Sequence, residues 1–226
     1  MKKRPHVTAI VPAAGSASRM GGGGKILTPI NGLPLIGYSL CTLEQCAAVD
    51  EIIVAARDED VLTIAGLCRG MGLKKVSAVL RGGLSRPHTV LKALIETQAD
   101  IFAIHDGARP CLSAQLCEAV IKAAAETGAA VPGLTLTDTV KTTDKAVITG
   151  TANRSLYMTV QTPQCFEGAL IRGALAKALR DGLPITDDSA AVEALPYPVH
   201  IVPGEVRNIK VTTRDDLVIA ATFLSL

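Results

Sequence analysis

The sequence predicts an α/β protein with a Rossmann-like, three-layer fold, in which helices cover both faces of a mixed, mostly parallel sheet and a β-arm protrudes. Three observations predict it. Short β-rich runs alternate with longer amphipathic stretches, which is the pattern of βαβ units. A glycine-rich loop follows the first β-rich run, and a Thr-rich segment at about residues 136–157 interrupts the alternation without a helical stripe. We assign all 226 residues to one domain.

The predicted strands are short apolar runs bounded by turn residues, and they cover residues 7–11, 51–55, 76–80, 101–105, 129–132 and 199–203. The predicted helices have apolar residues at helical spacing, and they cover residues 35–46, 58–71, 88–97, 114–127, 167–180 and 214–223. Thr213 is the predicted N-cap of the last helix, whose first turn holds Asp215 and Asp216. These carboxylates lie near the positive end of the helix dipole, which favours a helix start at this position.

The segment at 136–157 is predicted to form short strands, with turn residues at Asp144 and Gly150. Two interpretations of this arm stay open. Either it pairs with another subunit, as arms that leave a sheet commonly do, or it is an ordinary surface hairpin.

The charge balance argues against a nucleic-acid-binding surface, because 23 Lys and Arg residues face 21 Asp and Glu residues. The six cysteines form no Cys-x-x-Cys pair and are predicted to be reduced, mostly buried thiols. Pro12 breaks the apolar run that follows the basic start, and no segment approaches the roughly 20 apolar residues that cross a bilayer. We therefore expect a cytoplasmic protein without a membrane partner.

The loop after the first strand, VPAAGSASRMGGGGK, is a candidate phosphate site. Its backbone N–H groups can approach phosphate oxygens closely, because small residues follow the strand: Ala13, Ala14 and Gly15. A P-loop would need glycine in place of Arg19 and Ser or Thr in place of Ile26, and no G-x-G-x-x-G spacing is present. Arg19 and Lys25 are cations suited to a reacting triphosphate. The alternative is a flexible glycine turn with solvated charges.

The second candidate cluster follows the predicted strand at 101–105, where open α/β sheets bind ligands. Asp106 there is a candidate Mg²⁺ ligand, since one or two carboxylates usually hold Mg²⁺ at phosphates. The alternative is an Asp-Gly turn closed by an ion pair between Asp106 and Arg109. We assign no chemical role to His105.

Six motifs occur in a fixed order over nearly the whole chain: AAGSASRM with a following Lys, RGGLSRPHTV, HDGARP, DTVK, NR before TPQ, and NIKVT. Together they resemble the methylerythritol phosphate cytidylyltransferase family. The resemblance implies transfer of CMP from CTP to 2-C-methyl-D-erythritol 4-phosphate, with pyrophosphate as the second product and Mg²⁺ or another divalent cation as cofactor. It also implies a homodimer, in which the β-arm reaches into the neighbouring subunit.

The resemblance also assigns roles to single residues. Those implied to stabilise the transition state are Arg19 and Lys25. Those implied to bind CTP are Ala13, Ala14 and Gly15 in the phosphate loop, Gly82 and Thr89 at the cytosine, and Asp106, Gly107 and Arg109 in a second nucleotide segment. Those implied to bind the acceptor sugar phosphate are Thr139, Arg154, Thr162 and Lys210. Asp106 is also the candidate metal ligand.

The chain departs from the family pattern at the end of the first loop, where Gly24, Lys25 and Ile26 stand in place of the family's common Pro-Lys-Gln. Gly107 and Thr89 stand where the family often has Ala and Ser, and both changes keep the backbone or hydroxyl contact. Two other functions stay open. One is cytidylyl transfer to another polyol phosphate, such as ribitol 5-phosphate, and the other is a nucleotide-binding module without catalysis.

Overall fold

The computed structural model describes residues 4–15 and 24–225. Within these residues the strands are β1 (Val7–Ala13), β2 (Pro29–Ile30), β3 (Leu33–Pro34), β4 (Glu51–Ala56), β5 (Val76–Arg81), β6 (Ile101–Ile104), β7 (Ala129–Thr135), β8 (Lys141–Asp144), β9 (Val147–Thr151), β10 (Met158–Val160), β11 (Gln164–Glu167) and β12 (His200–Pro203). The helices are α1 (Leu35–Gln45), α2 (Val61–Gly70), α3 (Arg86–Ile95), α4 (Ala114–Thr127), α5 (Gly168–Arg180), α6 (Asp188–Glu193) and α7 (Arg214–Leu224).

Eight of the described strands form one mixed sheet in the order β10-β7-β11-β6-β1-β4-β5, with β12 paired to β7. The pairs β1–β4, β1–β6, β4–β5 and β7–β12 are parallel. Strands β10 and β11 run antiparallel to their neighbours. Because β1, β4, β5 and β6 run in the same direction, their carboxyl ends meet at one edge of the sheet.

Alternate side chains of the central strands enter two separate cores. Along β1, Ala9 and Val11 pack on one face with apolar residues of α1, α2 and α4. Ile10, between them, packs on the other face with residues of α3, α5 and α6. Burying one large apolar side chain contributes about 1.5–3 kcal/mol, so each face needs its own helical layer. The predicted three-layer fold is therefore confirmed.

The start of α7 has the predicted cap. The hydroxyl of Thr213 accepts a hydrogen bond from the N–H of Asp216, and the Asp216 carboxylate accepts one from the N–H of Thr213. Although burial raises the pKa of Asp216, hydrogen bonds from Thr212 and Thr213 outweigh it and lower that pKa to about 2. The cap fixes where the segment between β12 and α7 ends.

The Thr-rich segment forms the predicted arm. Strands β8 and β9 pair antiparallel in a two-stranded sheet of their own, joined by a turn in which Lys145 has φ 50°. Almost all arm residues are exposed, and the segment returns to the main sheet through a 3-10 turn at Arg154–Leu156 and β10.

Every predicted strand and helix has a counterpart among the described residues, with bounds that differ by a few residues. The predicted helix at 58–71 begins as a 3-10 turn at Asp58–Asp60, and the helix predicted from residue 167 begins at Gly168 because Glu167 belongs to β11. The sequence did not predict β2, β3, β10, β11 or α6, which have two to six residues each. Periods of 2 and 3.6 residues are not distinguishable in segments this short.

The cysteines behave as predicted: all six are free, and Cys46, Cys68, Cys117 and Cys165 are buried. In the described part of the chain, no helix is long and apolar enough to cross a membrane.

Candidate active site

A cleft of about 430 Å³ opens where β1, β4 and β5 end. Its lining residues come from the ends of β4 and β5 and from the segments that follow these strands: Ala14, Ala56, Arg57, Asp58, Glu59, Arg81, Gly82, Gly83 and Leu84. The volume is in the range of small-molecule sites, and the position is the one at which open α/β sheets bind ligands.

One wall of the cleft is a close contact between two loops. A Cβ atom added to Gly82 would lie 2.6 Å from Cβ of Ala14 and 3.0 Å from Oγ1 of Thr89. The hydroxyl of Thr89 accepts a hydrogen bond from the Gly83 N–H (3.0 Å) and donates one to the Ser85 carbonyl (2.9 Å). Thr89 thus shapes the turn at 82–85, and the absence of a side chain at Gly82 lets the turn approach the first loop.

Lys25 begins a 3-10 turn, Lys25–Leu27, at the end of the glycine-rich loop. The preceding Gly24 packs on an ion pair between Arg57 and Asp60, whose Nε and Oδ2 atoms are 2.7 Å apart. A Cβ atom at Gly24 would lie 2.8 Å from Nη2 of Arg57, so this position has little room for a side chain. Gly15 is exposed, and Arg19 lies outside the described residues.

Asp106 follows β6 and lies between two cations at the carboxyl edge of the sheet. Its Oδ1 lies 3.1 Å from Nη2 of Arg86, and its Oδ2 lies 2.7 Å from Nζ of Lys210. Burial raises the pKa of Asp106, but Arg86 and Lys210 together hold it well below its ordinary value. Asp106 is therefore a carboxylate at neutral pH. The turn considered as the alternative from the sequence is present, since the Arg109 N–H donates to the Asp106 carbonyl (3.0 Å), but the Asp106 carboxylate pairs with Arg86 and Lys210 instead of Arg109.

The backbone at Asp106 is held by a chain of hydrogen bonds. Its N–H donates to the hydroxyl oxygen of Thr162 (3.1 Å), and that hydroxyl lies 3.0 Å from Nδ1 of His105. Nε2 of His105 lies 3.1 Å from the carbonyl oxygen of Arg109, which can only accept. The proton of a neutral imidazole therefore sits on Nε2, and Nδ1 accepts from Thr162.

Burial lowers the pKa of His105 from 6.5 to about 4, although the Arg109 carbonyl opposes the shift. The ring is fully buried and neutral at pH 7. Through Thr162, His105 supports the backbone of Asp106.

Arg109 braces the segment that carries Lys210. Its Nη1 donates to the Asn208 carbonyl (2.7 Å), while Nδ2 of Asn208 donates to the Thr162 carbonyl (2.8 Å). The amide of Gln161 donates to the same Asn208 carbonyl (3.2 Å). Gly107 lies behind these groups, where a Cβ atom would be 3.3 Å from Cγ1 of Val11. In this arrangement Arg109 faces protein backbone.

The four residues assigned to the acceptor fall into two groups. Thr162 and Lys210 both contact Asp106. Thr139 and Arg154 lie on the exposed arm, where Arg154 donates a hydrogen bond to the Thr137 carbonyl.

Asp106 fits a cation that brings most of its own ligands. Among residues 4–15 and 24–225, no group of three or more His, Cys, Asp or Glu side chains could hold a metal ion. A carboxylate has about four lone-pair sites. Arg86 occupies two on Oδ1, through Nε (3.3 Å) and Nη2 (3.1 Å), and Lys210 occupies one on Oδ2, so one site remains on Oδ2 of Asp106. Asp106 can thus be a single protein ligand to Mg²⁺ whose other ligands are phosphates and water.

The sequence did not single out Arg86, Asn208 or Asp188, although all three belong to the network around Asp106. Arg86 stands inside RGGLSRPHTV and Asn208 inside NIKVT, so their motifs were recognised without these members. Asp188 is at the start of α6, a six-residue helix that the sequence pattern did not reveal.

Comparison with known proteins gives one consistent result. The family model described as 2-C-methyl-D-erythritol 4-phosphate cytidylyltransferase matches residues 7–225. A protein of that name from Syntrophus aciditrophicus is 37% identical over 227 residues, covering 98% of this chain and 97% of its own. Another, from Geotalea uraniireducens, is 38% identical over 230 residues, covering 97% of each chain.

Solved structures agree with the sequence relatives. The 4-diphosphocytidyl-2C-methyl-D-erythritol synthase of Anaerococcus prevotii superposes with a TM-score of 0.87 at 27% identity, over 99% of this chain and 100% of its own. The 2-C-methyl-D-erythritol 4-phosphate cytidylyltransferase of Thermus thermophilus has a TM-score of 0.79 at 32% identity, over 96% of this chain and 98% of its own.

The close contact at Gly82 generates the first prediction. In Gly82→Ala, the new methyl group should push the turn at 82–85 away from Ala14 and deform the cleft. We expect weaker nucleotide binding, measured by calorimetric titration with CTP, while the circular dichroism spectrum stays that of the wild type. The matched control is Gly173→Ala on α5, where a Cβ atom meets nothing within 4 Å. Equal affinity in both variants would mean that the cleft does not hold the nucleotide.

The buried His105 generates a prediction about stability. The unfolded chain binds this proton at a pKa of 6.5 and the folded chain at about 4, so the unfolded state holds more protons between these values. Stability from His105 is complete above pH 6.5 and is lost as the pH falls through 4, by about 3 kcal/mol in all. The difference in unfolding free energy between wild type and His105→Gln should shrink over this range. A difference in unfolding free energy that stays constant with pH would contradict the prediction. The control is His200→Gln, which replaces an exposed histidine of β12.

Proposed function

This chain belongs to the 2-C-methyl-D-erythritol 4-phosphate cytidylyltransferase family, and we propose that the cleft at the carboxyl edge of its sheet is where it transfers CMP from CTP to that acceptor. As a cytidylyltransferase of isoprenoid synthesis, it releases pyrophosphate and forms 4-diphosphocytidyl-2-C-methyl-D-erythritol. The observation that carries the assignment of the site is the ionised Asp106, paired with Arg86 and Lys210 at the edge where the glycine-lined cleft opens.

The chemistry joins two anions. A phosphate oxygen of the acceptor attacks the α-phosphorus of CTP in line, a new P–O bond forms, and the bond to the β-phosphate oxygen breaks as pyrophosphate leaves. The nucleophile is already an anion at neutral pH, so no general base is required. The protein has to align the reactants and offset their repulsion, which a site rich in cations and poor in titrating histidine can do.

In this proposal the phosphates of CTP lie against the backbone N–H groups of the loop that contains Ala13, Ala14 and Gly15. Lys25 and Arg19 act on the charge that develops at the α-phosphorus. Lys25 stands at the start of its 3-10 turn, and Arg19 is not among the described residues. Cytosine lies against the turn at 82–85, which Thr89 shapes from below.

A divalent cation, Mg²⁺ in our proposal, would be held by the triphosphate and Asp106. When bound, it would neutralise charge on the phosphates during the displacement. We also place the enzyme in the cytoplasm, where CTP is available.

The acceptor site is proposed to be shared between two subunits. Thr162 and Lys210 stand beside Asp106, whereas Thr139 and Arg154 lie on the arm. Several large apolar side chains of the arm and of the start of β10 are exposed in the single chain: Val147, Ile148, Leu156, Tyr157 and Met158. Such a cluster favours burial against another protein surface, and a second copy of the chain would bring Arg154 of one subunit to Lys210 of the other.

The direct test of the function is pyrophosphate release with a panel of nucleotides and acceptors. We expect strong preference for CTP over ATP and GTP, because polar groups of the turn at 82–85 that the wrong base leaves unpaired cost binding energy. We expect 2-C-methyl-D-erythritol 4-phosphate to exceed ribitol 5-phosphate as acceptor. Equal turnover with purine triphosphates would contradict the cytosine pocket, and absence of turnover with every acceptor would favour a binding module.

The shared site predicts complementation between two inactive variants. Arg154→Ala loses the arm's cation and Lys25→Ala loses the loop's cation, so each homodimer should be inactive. In a hybrid dimer, the body of the Arg154→Ala chain meets the arm of the Lys25→Ala chain, and one intact site forms. Activity should therefore recover when the two variants exchange subunits.

Two controls sharpen the complementation test. Exchange is monitored with two affinity tags, and a chain carrying both substitutions is mixed with each single variant, which should recover nothing. Proven exchange without recovered activity, or a monomer by sedimentation at assay concentration, would contradict the shared site and leave the cytidylyltransferase function intact.

A further inference from the structure

Asp188 is a fully buried carboxylate to which the proposed reaction gives no part. It is the first residue of α6, and its Oδ2 accepts a hydrogen bond of 2.7 Å from Nη2 of Arg86. Its other oxygen, Oδ1, is buried without a hydrogen-bond partner among residues 4–15 and 24–225. Burial raises the pKa of Asp188 against the attraction of Arg86. A buried carboxylate that is half satisfied costs stability, so packing alone gives no reason for a charge here.

Arg86 connects this carboxylate to the site. Its Nη2 lies 2.7 Å from Oδ2 of Asp188 and 3.1 Å from Oδ1 of Asp106, whose Oδ2 in turn lies 2.7 Å from Nζ of Lys210. The result is a row of four alternating charges. Along the row from Asp188 through Arg86 and Asp106 to Lys210, the side chains are 0%, 27%, 10% and 44% exposed. One end of the row is anchored in the interior, and the other end reaches solvent.

The buried end is fixed to the sheet. Oε1 of Gln164, on β11, accepts hydrogen bonds of 3.0 Å from the backbone N–H groups of Asp188 and Ser189. Nε2 of Gln164 donates to Oδ2 of Asp187 at 2.7 Å. Since β11 pairs with β6, which leads into Asp106, both carboxylates that hold Arg86 are set by adjacent strands.

We infer that Asp188 is a positioning residue for cytidylyl transfer, which holds Arg86 between two carboxylates so that Asp106 keeps one oxygen on Lys210. The inference rests on the proposed function, because it requires Asp106 and Lys210 to act at the reaction site. Without the charge at Asp188, the forked guanidinium of Arg86 can pair with both oxygens of Asp106. That pairing displaces the ammonium of Lys210 from its place beside the acceptor.

The test compares Asp188→Asn with Asp181→Asn. Both variants replace an ion-paired carboxylate by an amide of the same shape, and Asp181 pairs with Lys177 and Arg180 at the end of α5. For Asp188→Asn we expect kcat/KM for the acceptor to fall roughly 10- to 100-fold, mostly through a higher KM, as for other residues that orient a functional group. The KM for CTP should change less than the KM for the acceptor, because in our proposal CTP is also held by the loop of Ala13, Ala14 and Gly15 and by the turn at 82–85. Asp181→Asn should match the wild type in kcat and in the KM values for acceptor and CTP.

A purely structural role would have a different signature. It would reduce the amount of folded enzyme, measured by circular dichroism, and leave both KM values unchanged, which would overturn the inference. If Asp188→Asn does not fold, Arg86→Lys tests the same bridge from its other side, because an ammonium keeps the charge but lacks the fork. Normal kinetics in Arg86→Lys would then overturn it.

Urea unfolding gives a readout that does not depend on activity. Because Asp188 and Asp106 share Arg86, the shifts in unfolding midpoint caused by Asp188→Asn and Asp106→Asn should not add in the double variant. The shifts caused by Asp181→Asn and Asp106→Asn should add. Additivity in the first pair would overturn the inference.

A wild-type enzyme that transfers no CMP would overturn the proposed function as well, whereas an active wild type with an unaffected Asp188→Asn variant would overturn only the positioning role.

Discussion

A buried carboxylate must be balanced by cations, and the balance around Asp106 organises the edge of the sheet at which we propose the active site. Its partners come from distant parts of the chain: Arg86 from the first turn of α3, Lys210 from the segment before α7, and Thr162 from the segment before β11. An unpaired charge here would cost several kcal/mol, so the position of each segment is tied to the others. The parallel strands bring their carboxyl ends together, and the charge balance fixes the loops beyond those ends.

The same balance leaves the site short of groups that titrate near neutral pH. Asp106 stays ionised because two cations lower its pKa, and His105 stays neutral because burial lowers its own. For a reaction between two anions this is an advantage, since the electrostatic field at the site does not change with small changes in pH. The hydrogen bond from Thr162 to His105 and the one from Asp106 to Thr162 convert the neutral ring into a support for the charged residue.

Much of this architecture could be predicted from the sequence, and physical reasons explain why the remaining elements and residues could not. The long periodic segments gave the sheet and its helical layers, and the position of Asp106 at a strand end followed from the apolar run at Ile101–Ile104. The central strand β11 was not predicted, because a segment of four residues shows no recognisable period. The hydrogen bonds by which Gln164 on β11 fixes the start of α6 were therefore not predicted either. Arg86 was not recognised as a site residue for another reason. An arginine at the start of a helix is usually solvated, and only the tertiary structure shows it between two carboxylates 82 positions apart in sequence.

The buried polar atoms that lack hydrogen-bond partners lie in the network around Asp106. Among the described residues, the buried side-chain atoms without a hydrogen bond are Nε of Arg109, Oδ1 of Asp188 and Oδ1 of Asn208. Each belongs to the network around Asp106: Arg109 binds Asn208, Asn208 binds Thr162, and Asp188 binds Arg86. Native proteins satisfy nearly all buried polar atoms, because each orphan costs about 1–3 kcal/mol. They concentrate at the edge where we propose that the substrates bind. Stability is given up there if cations and carboxylates are to hold set positions for aligning two reactants that repel each other.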